Sequence, residues 1–523
     1  MASPDTYPVD LSAAMITVPV HLADWLVVAP VALCIAAGAI LMMLRKTTWM
    51  QAGASVVGLS LLVVVCGALL AHVLINGTVT MTMGRWLPPF GISFTVDILG
   101  ASLTFVASII ALAAGIFGAD DVDNSGRRYG FYPFLFLMMA GVIGAFLTGD
   151  IFNLYVWFEV LLISSFGLLI LGSEPRQIDG ATKYAFLNLV ATTLFLIATG
   201  YLYGVFGTLN MADIMRKAPE MSETAPLLTL TAIYFMAFGM KAAAFPVNFW
   251  LPASYHTPRI VVSALFAGLL TKVGVYALLR VLIMLFPAER DMLGLVIAIV
   301  AALTMVFGAL GALAQTDYRR LLGYLVISGI GVMLAGIALA SMAGLSGTIF
   351  YAVHSMIVMT ALYLVCGLTA RIAGGFSLAE PADIYRSHLP LAALALMLLF
   401  AVSGLPPFSG FWPKAVLVKA SLDVGEWWMA AAILLTGFLT TIAAGRVWIL
   451  VYWRARQEAD DGDASLVRLK PMVDYLPVAL LTGLAVLLGV YPEPFLEMSQ
   501  TAASQLIHPA AYIDSVFPAG GAE

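Results

Sequence analysis

Charge is what this chain has least of. Only 11% of its 523 residues are Asp, Glu, Lys or Arg, against about 25% in ordinary soluble proteins. A soluble fold of this composition would expose more apolar surface than is tolerated. Cysteine is scarce too. Cys34, Cys66 and Cys366 lie far apart, each inside an apolar run, where they read as small buried hydrophobes. There is no CxxC and no histidine-rich cluster, so no zinc, haem or iron–sulfur site, and no other metal or cofactor, is expected. The chain also lacks a P-loop, a dinucleotide fingerprint and a nucleophile elbow, which leaves no enzyme active site to assign. A net charge of −5 argues against a nucleic-acid partner. Asp5 and Asp10, with no early Lys or Arg, do not read as a signal peptide.

What the chain has instead is apolar length. A run of about 20 apolar residues crosses a bilayer as a helix. Fourteen are read, near 24–44, 50–75, 94–118, 131–148, 151–172, 184–208, 226–250, 259–286, 293–314, 321–341, 346–369, 389–411, 427–453 and 473–491. The expected fold is therefore an all-α polytopic membrane protein with about 14 transmembrane helices. Closed barrels would show short alternating segments instead. The organisation expected is three helices over 1–118, five over 131–286, five over 293–453, and a last helix with a tail over 473–523.

Orientation follows from Lys and Arg, which favour the inner face. With the N-terminus outside, sixteen of them fall in inner loops and six outside, among the six Arg280. An even span count puts the C-terminus outside too. The longest inner loop, 454–471, reads as a solvated charged segment.

Ionisable groups at bilayer depth are costly and point to function. Glu159 lies eight residues into the fifth span, roughly 12 Å along it. Lys241 lies deep in the seventh span and Lys272 deep in the eighth, too far from helix ends to snorkel. Lys414 follows SGLPPFSGFWP at the end of the twelfth. From position alone it reads equally as a loop residue. The prolines beside it favour the functional reading. Pro406 and Pro407 break the helix, as Pro246 and Pro252 break the seventh. A break at membrane depth needs a cavity or covering protein. The two broken helices are the fourth members of helices 4–8 and 9–13, which points to two inverted five-helix repeats around a transport path.

His354 in the eleventh span reads equally as a core residue or a proton relay. His256, just after the seventh span, is a candidate gating or access residue. Asp317 opens the tenth span, as a helix cap by preference or as part of a gate. Lysine and glutamate in a dry interior favour charged forms when paired and neutral forms when apart. A Glu159–Lys241 pair that opens and closes would pass a proton to Lys272, and on through His354 to Lys414.

These residues also carry a resemblance. The segment GMKAAAFPVNFWLPASYHTPRIVVSALFAGLLTKVGVYALLR resembles the proton-translocating antiporter family. So do FNLYVWFEVLLISSFGLLIL, TDYRRLLGYLVISGIG and SGLPPFSGFWPKAVL. That family comprises the antiporter-like subunits of respiratory complex I and the A-type and D-type subunits of Mrp-type sodium/proton antiporters. The match runs from about residue 94 to 453, and the chain is most similar to the D-type Mrp branch. The resemblance implies proton-path roles for Glu159, Lys241, Lys272 and Lys414, and places His354 at a position that is histidine in relatives. Met359 departs from the pattern, standing where several relatives have lysine. It also implies a bacterial inner-membrane complex with partner subunits A, B, C, E, F and G. Such a complex moves protons inward and exports Na+, or else K+ or Li+. Two other readings stay open: a pump subunit of a complex I or hydrogenase-type redox complex, and a scaffold whose buried charges only lock packing.

Overall fold

A computed structural model describes residues 14–16, 21–379, 383–454 and 469–517. Asp5, Asp10 and nearly all of the charged loop 454–471 lie outside them. Among the described residues, ten helices are long and apolar enough to span a membrane, and four shorter apolar helices complete the set. In chain order they are α1 (Ala29–Met43), α2 (Thr48–Asn76), α3 (Ile98–Asp121), α4 (Phe131–Leu147), α5 (Ile151–Leu169), α6 (Pro175–Phe206) and α7 (Leu227–Ala242). Then follow α8 (Ile260–Leu285), α9 (Gly294–Ala314), α10 (Tyr318–Leu339), α11 (Met342–Ala373), α12 (Leu389–Ser403), α13 (Trp427–Trp453) and α14 (Pro471–Val490). Each of the fourteen expected spans has its helix.

Several boundaries differ from the sequence reading. The third span starts at Ile98, because Ser93–Val96 pairs antiparallel with Val79–Thr82 as a small hairpin. The sixth starts at Pro175, whose fixed φ suits the first helical turn, behind a Glu174–Gln177 capping box. The narrow gap between α4 and α5 is a true break, where the Asp150 carboxylate accepts from the Asn153 amide at 2.7 Å and caps α5.

The two five-helix repeats share special features. Asp317 caps α10 as Asp150 caps α5, accepting from the Arg320 amide at 3.0 Å. Asp150 forms an antiparallel bridge with Asn210, and Asp317 forms one with Ser377; Asp317 and Ser377 each lie 167 positions after their counterparts. Both repeats end in a π-turn, Leu279–Leu285 and Trp448–Trp453. Because five is odd, the second repeat enters from the opposite face.

Burial sorts the spans. The apolar windows of α8 and α11 are wholly buried, and those of α10 and α3 nearly so. These helices form the axis of the protein, with α8 packed on α11 and on α7. By contrast α2, α9 and α13 leave most of their surface uncovered, as an apolar solvent allows. The cysteines are buried, with free thiols.

Two ion clusters pin the axis at its ends. At one end Arg371 of α11 meets Asp120 at 2.8 Å, Asp474 at 2.9 Å and Asp121 at 3.4 Å, and Lys470 also pairs with Asp120. At the other, Arg280 donates two hydrogen bonds to Asp97, at 2.6 and 2.7 Å, with both side chains buried. This corrects the placement of Arg280 in an outer loop. It lies within the 26-residue span α8, and its charge is tolerated because Asp97 neutralises it.

Candidate functional site

The seventh and twelfth spans each stop short. At a rise of about 1.5 Å per residue, α7 and α12 cover less than the hydrocarbon thickness. Each resumes after a linker, as Trp250–Ser254 and Phe411–Asp423. This moves the end of the twelfth span from 411 to Asp423. The linkers correspond position by position. Ala243 and Gly404 both turn left-handed, with φ of 62° and 83°, and both end their helix. Pro246 and Pro407 then fall three residues on, each after a cis peptide bond.

The lysines are not equivalent. Lys241 precedes its break, in the last turn of α7, whereas Lys414 follows its break, in the first turn of the resumed helix. The Lys414 Nζ reaches back and donates to the Val402 and Ser403 carbonyls, at 3.1 and 2.9 Å. It thereby supplies a cation to the negative end of α12. A side chain on Gly404 would meet this ammonium at 3.0 Å, so the left-handed turn and the close approach both require glycine. Lys414 also lines a cleft of about 600 Å³ between the resumed helix and α13, which is otherwise mostly apolar.

Lys241 is held differently. It is only 6% exposed, and its Nζ has no hydrogen-bond partner among the described residues. The ammonium sits 5.6 Å from the centre of the Phe158 ring. Glu159 is half-buried on α5 and within Coulombic range of Lys241, but the two do not close to an ion pair. Phe158 stacks on Phe238 and so joins α5 to α7 just beside them. The structure thus brings the expected partners together without contact.

Lys272 is 1% exposed and donates to the Ala267 carbonyl of its own helix at 2.5 Å. Two residues on, Gly274 packs against the backbone of Ala242, next to Lys241. His354 on α11 is also 1% exposed and lies within Coulombic range of both Lys272 and Lys414. Its Nδ1 is 2.8 Å from the Ser409 Oγ. Met359 is buried further along the same helix.

His256 sits at the far mouth of the first break. Its Nδ1 lies 2.8 Å from the Pro252 carbonyl, and its Nε2 lies 3.1 Å from an Arg320 nitrogen. A carbonyl only accepts and a guanidinium only donates, so the ring is neutral with its proton on Nδ1. Burial, then the Arg320 charge, holds this imidazole below its ordinary range. Asp317 stands close by in sequence to Arg320 and serves as the α10 cap described above.

Sequence reasoning missed the groups that hold the breaks. Thr304 of α9 accepts from the Phe245 amide at 2.9 Å, and Trp250 donates to the Met240 carbonyl at 3.1 Å. Only the tertiary fold brings α9 to the first break, so no local pattern marks Thr304. Replacing it with valine leaves the Phe245 amide unpaired. This is expected to destabilise the protein by about 1–3 kcal/mol, read as a lowered thermal midpoint in detergent.

The family model described as NADH:quinone oxidoreductase/Mrp antiporter, membrane part, matches residues 148–440, which contain both breaks and Glu159, Lys241, Lys272, His354 and Lys414. The chain belongs to this family. Its relatives within the NADH:quinone oxidoreductase/Mrp antiporter group include the D-type subunit of the Na(+)/H(+) antiporter of Alkalihalophilus pseudofirmus, 36% identical over 494 residues, 94% of this chain and 99% of the relative. A chain of the Mrp complex from Dietzia superposes with a TM-score of 0.87 at 28% identity, covering 95% of this chain and all of the other. A chain of the archaeal membrane-bound sulfane sulfur reductase superposes at 0.84 with 23% identity, covering 95% of this chain and 99% of the other, and shares the fold.

Proposed function

We propose that this chain is the D-type, proton-carrying subunit of a Mrp-type monovalent cation/proton antiporter. The observation that carries this is a row of five titratable side chains at span depth, with Lys241, Lys272 and His354 buried and Glu159 and Lys414 partly buried. It runs from Glu159 and Lys241 through Lys272 and His354 to Lys414. Protons pass along this row, and the opening and closing of the Glu159–Lys241 pair starts each transfer. His256 and Arg320 stand where access to the first break is controlled.

The working assembly contains subunits A, B, C, E, F and G in a bacterial inner membrane, with both termini of this chain outside. It takes protons inward and exports Na+ using the proton gradient, with K+ or Li+ as other cargoes. The relay of this chain carries protons, and Glu159 is its one carboxylate. A secondary transporter subunit, rather than an enzyme, fits the buried charges and the D-type relatives.

The test is sodium-dependent dissipation of a proton gradient in everted vesicles from a host without its own antiporters, expressing the complete operon. Wild type is expected to exchange. Lys414→Ala is expected to lose about tenfold or more while a native gel shows the complex assembled. Wild-type vesicles that exchange no alkali cation yet sustain a respiratory proton gradient would move the assignment to a redox-driven pump.

A further inference from the structure

Two residues of the second break grip the relay histidine. Ser409 is wholly buried in the linker between α12 and the resumed helix, and its Oγ stands 2.8 Å from Nδ1 of His354. The next residue, Gly410, faces another edge of the same ring. A Cβ there would lie 3.0 and 3.1 Å from Cε1 and Nε2 of His354, and only 2.0 Å from the Ala401 carbonyl oxygen. Its φ is −74°, so glycine is needed for space and not for backbone conformation. Four residues later stands Lys414, bound to the two carbonyls that follow Ala401. The break therefore holds the ring at Nδ1 through a hydroxyl and packs bare backbone against its Nε2 edge. The corresponding positions of the first break are Asn248 and Phe249, so this grip belongs to the second repeat.

A hydroxyl suits this position chemically. It both donates and accepts, so it stays bonded to Nδ1 in either neutral tautomer and in the imidazolium. A group that only donates or only accepts would stabilise one form alone. Without the hydroxyl, Nδ1 is unpaired in a dry site, and rotation about χ2 of the ring is less constrained.

We propose that Ser409 and Gly410 are positioning residues for His354. The hydroxyl fixes Nδ1 and the bare α-carbon admits the Nε2 edge, which holds the ring in one orientation within Coulombic range of Lys272 and Lys414. Nε2 takes a proton from one lysine and releases it to the other, while Nδ1 keeps its bond to Ser409. This rests on the relay reading given above. The titratable groups around the ring are Lys414 beyond the break, Lys272 on α8 and Tyr351 on α11, whose ring centre is 5.3 Å away.

The test compares Ser409→Ala, Ser409→Thr and His354→Ala in the complete complex, with assembly followed on a native gel. The rate of sodium-dependent gradient dissipation is measured across pH. Ser409→Ala is expected to assemble, to exchange about threefold to tenfold more slowly, and to show a displaced pH profile. Ser409→Thr keeps the hydroxyl and is expected to restore both rate and profile. In the His354→Ala background, Ser409→Ala is expected to add nothing. An assembled Ser409→Ala with the wild-type rate and profile overturns the proposal. If His354→Ala itself exchanges normally, the histidine relay fails first, and the positioning role falls with it. Gly410→Ala is expected to disturb the Ala401 backbone as well, so the serine variants decide.

Discussion

Lys241→Met assembles with its partners and loses sodium-dependent proton exchange by about a hundredfold or more; this is the expected result in everted vesicles. Methionine keeps most of the stem volume, so packing on Phe158 survives. Assembly survives because of the state of the ammonium. A buried charge without a hydrogen bond is destabilising in itself, and the Lys241 Nζ has none among the described residues. The ring of Phe158 and the Glu159 charge, which forms no ion pair with it, offset only part of that. Removing the charge therefore relieves the fold while it removes the proton carrier. Had packing been the purpose, Glu159 would close on Lys241 as Asp97 closes on Arg280. An assembled Lys241→Met complex with wild-type exchange would return the lysine to the scaffold reading.

The opposite outcome is expected at Arg280. It is the other fully buried cation of α8, and it is completely paired. Its Nε donates to the Tyr276 hydroxyl at 3.0 Å, and that hydroxyl donates to the Phe146 carbonyl at 2.8 Å. The Tyr512 ring, from the C-terminal segment, lies 5.5 Å from its guanidinium. Arg280→Ala strands Asp97 as an uncompensated buried charge, at about 3–5 kcal/mol. The expected readout is loss of the assembled complex on a native gel and a fall in the amount of this protein. The double variant Asp97→Leu with Arg280→Met removes both charges and is expected to recover most of the assembly. If Arg280→Ala instead assembles fully and loses only exchange, the pair belongs to the proton path and not to the scaffold. The contrast between Lys241 and Arg280 separates function from architecture by one criterion, whether the buried charge is neutralised.

The sequence was informative wherever a single element carries the signal. Apolar run length marked all fourteen spans, because the bilayer sets one length scale for every helix. Proline marked both breaks, because the ring excludes a backbone donor wherever it stands. Glu159, Lys241, Lys272 and Lys414 stood out because an ionisable group inside an apolar run is rare whatever surrounds it. The family followed from the same stretches, and the family match spans them.

What the sequence left open depends on which helices meet. Arg280 looked like a loop residue because its partner, Asp97, lies 183 positions away at the cap of α3. Ser409 was one polar residue in a turn until α11 brought His354 to it. Thr304 was an ordinary helical threonine until α9 reached the first break. Chain order places the two lysines on opposite sides of their breaks, but only the structure shows that their partners differ. Run length, proline and a charge inside an apolar run are properties of one segment and are determined before folding. Neutralisation, hydrogen bonding and depth are relations between segments, and only the packed bundle of α3, α8, α10 and α11 decides them.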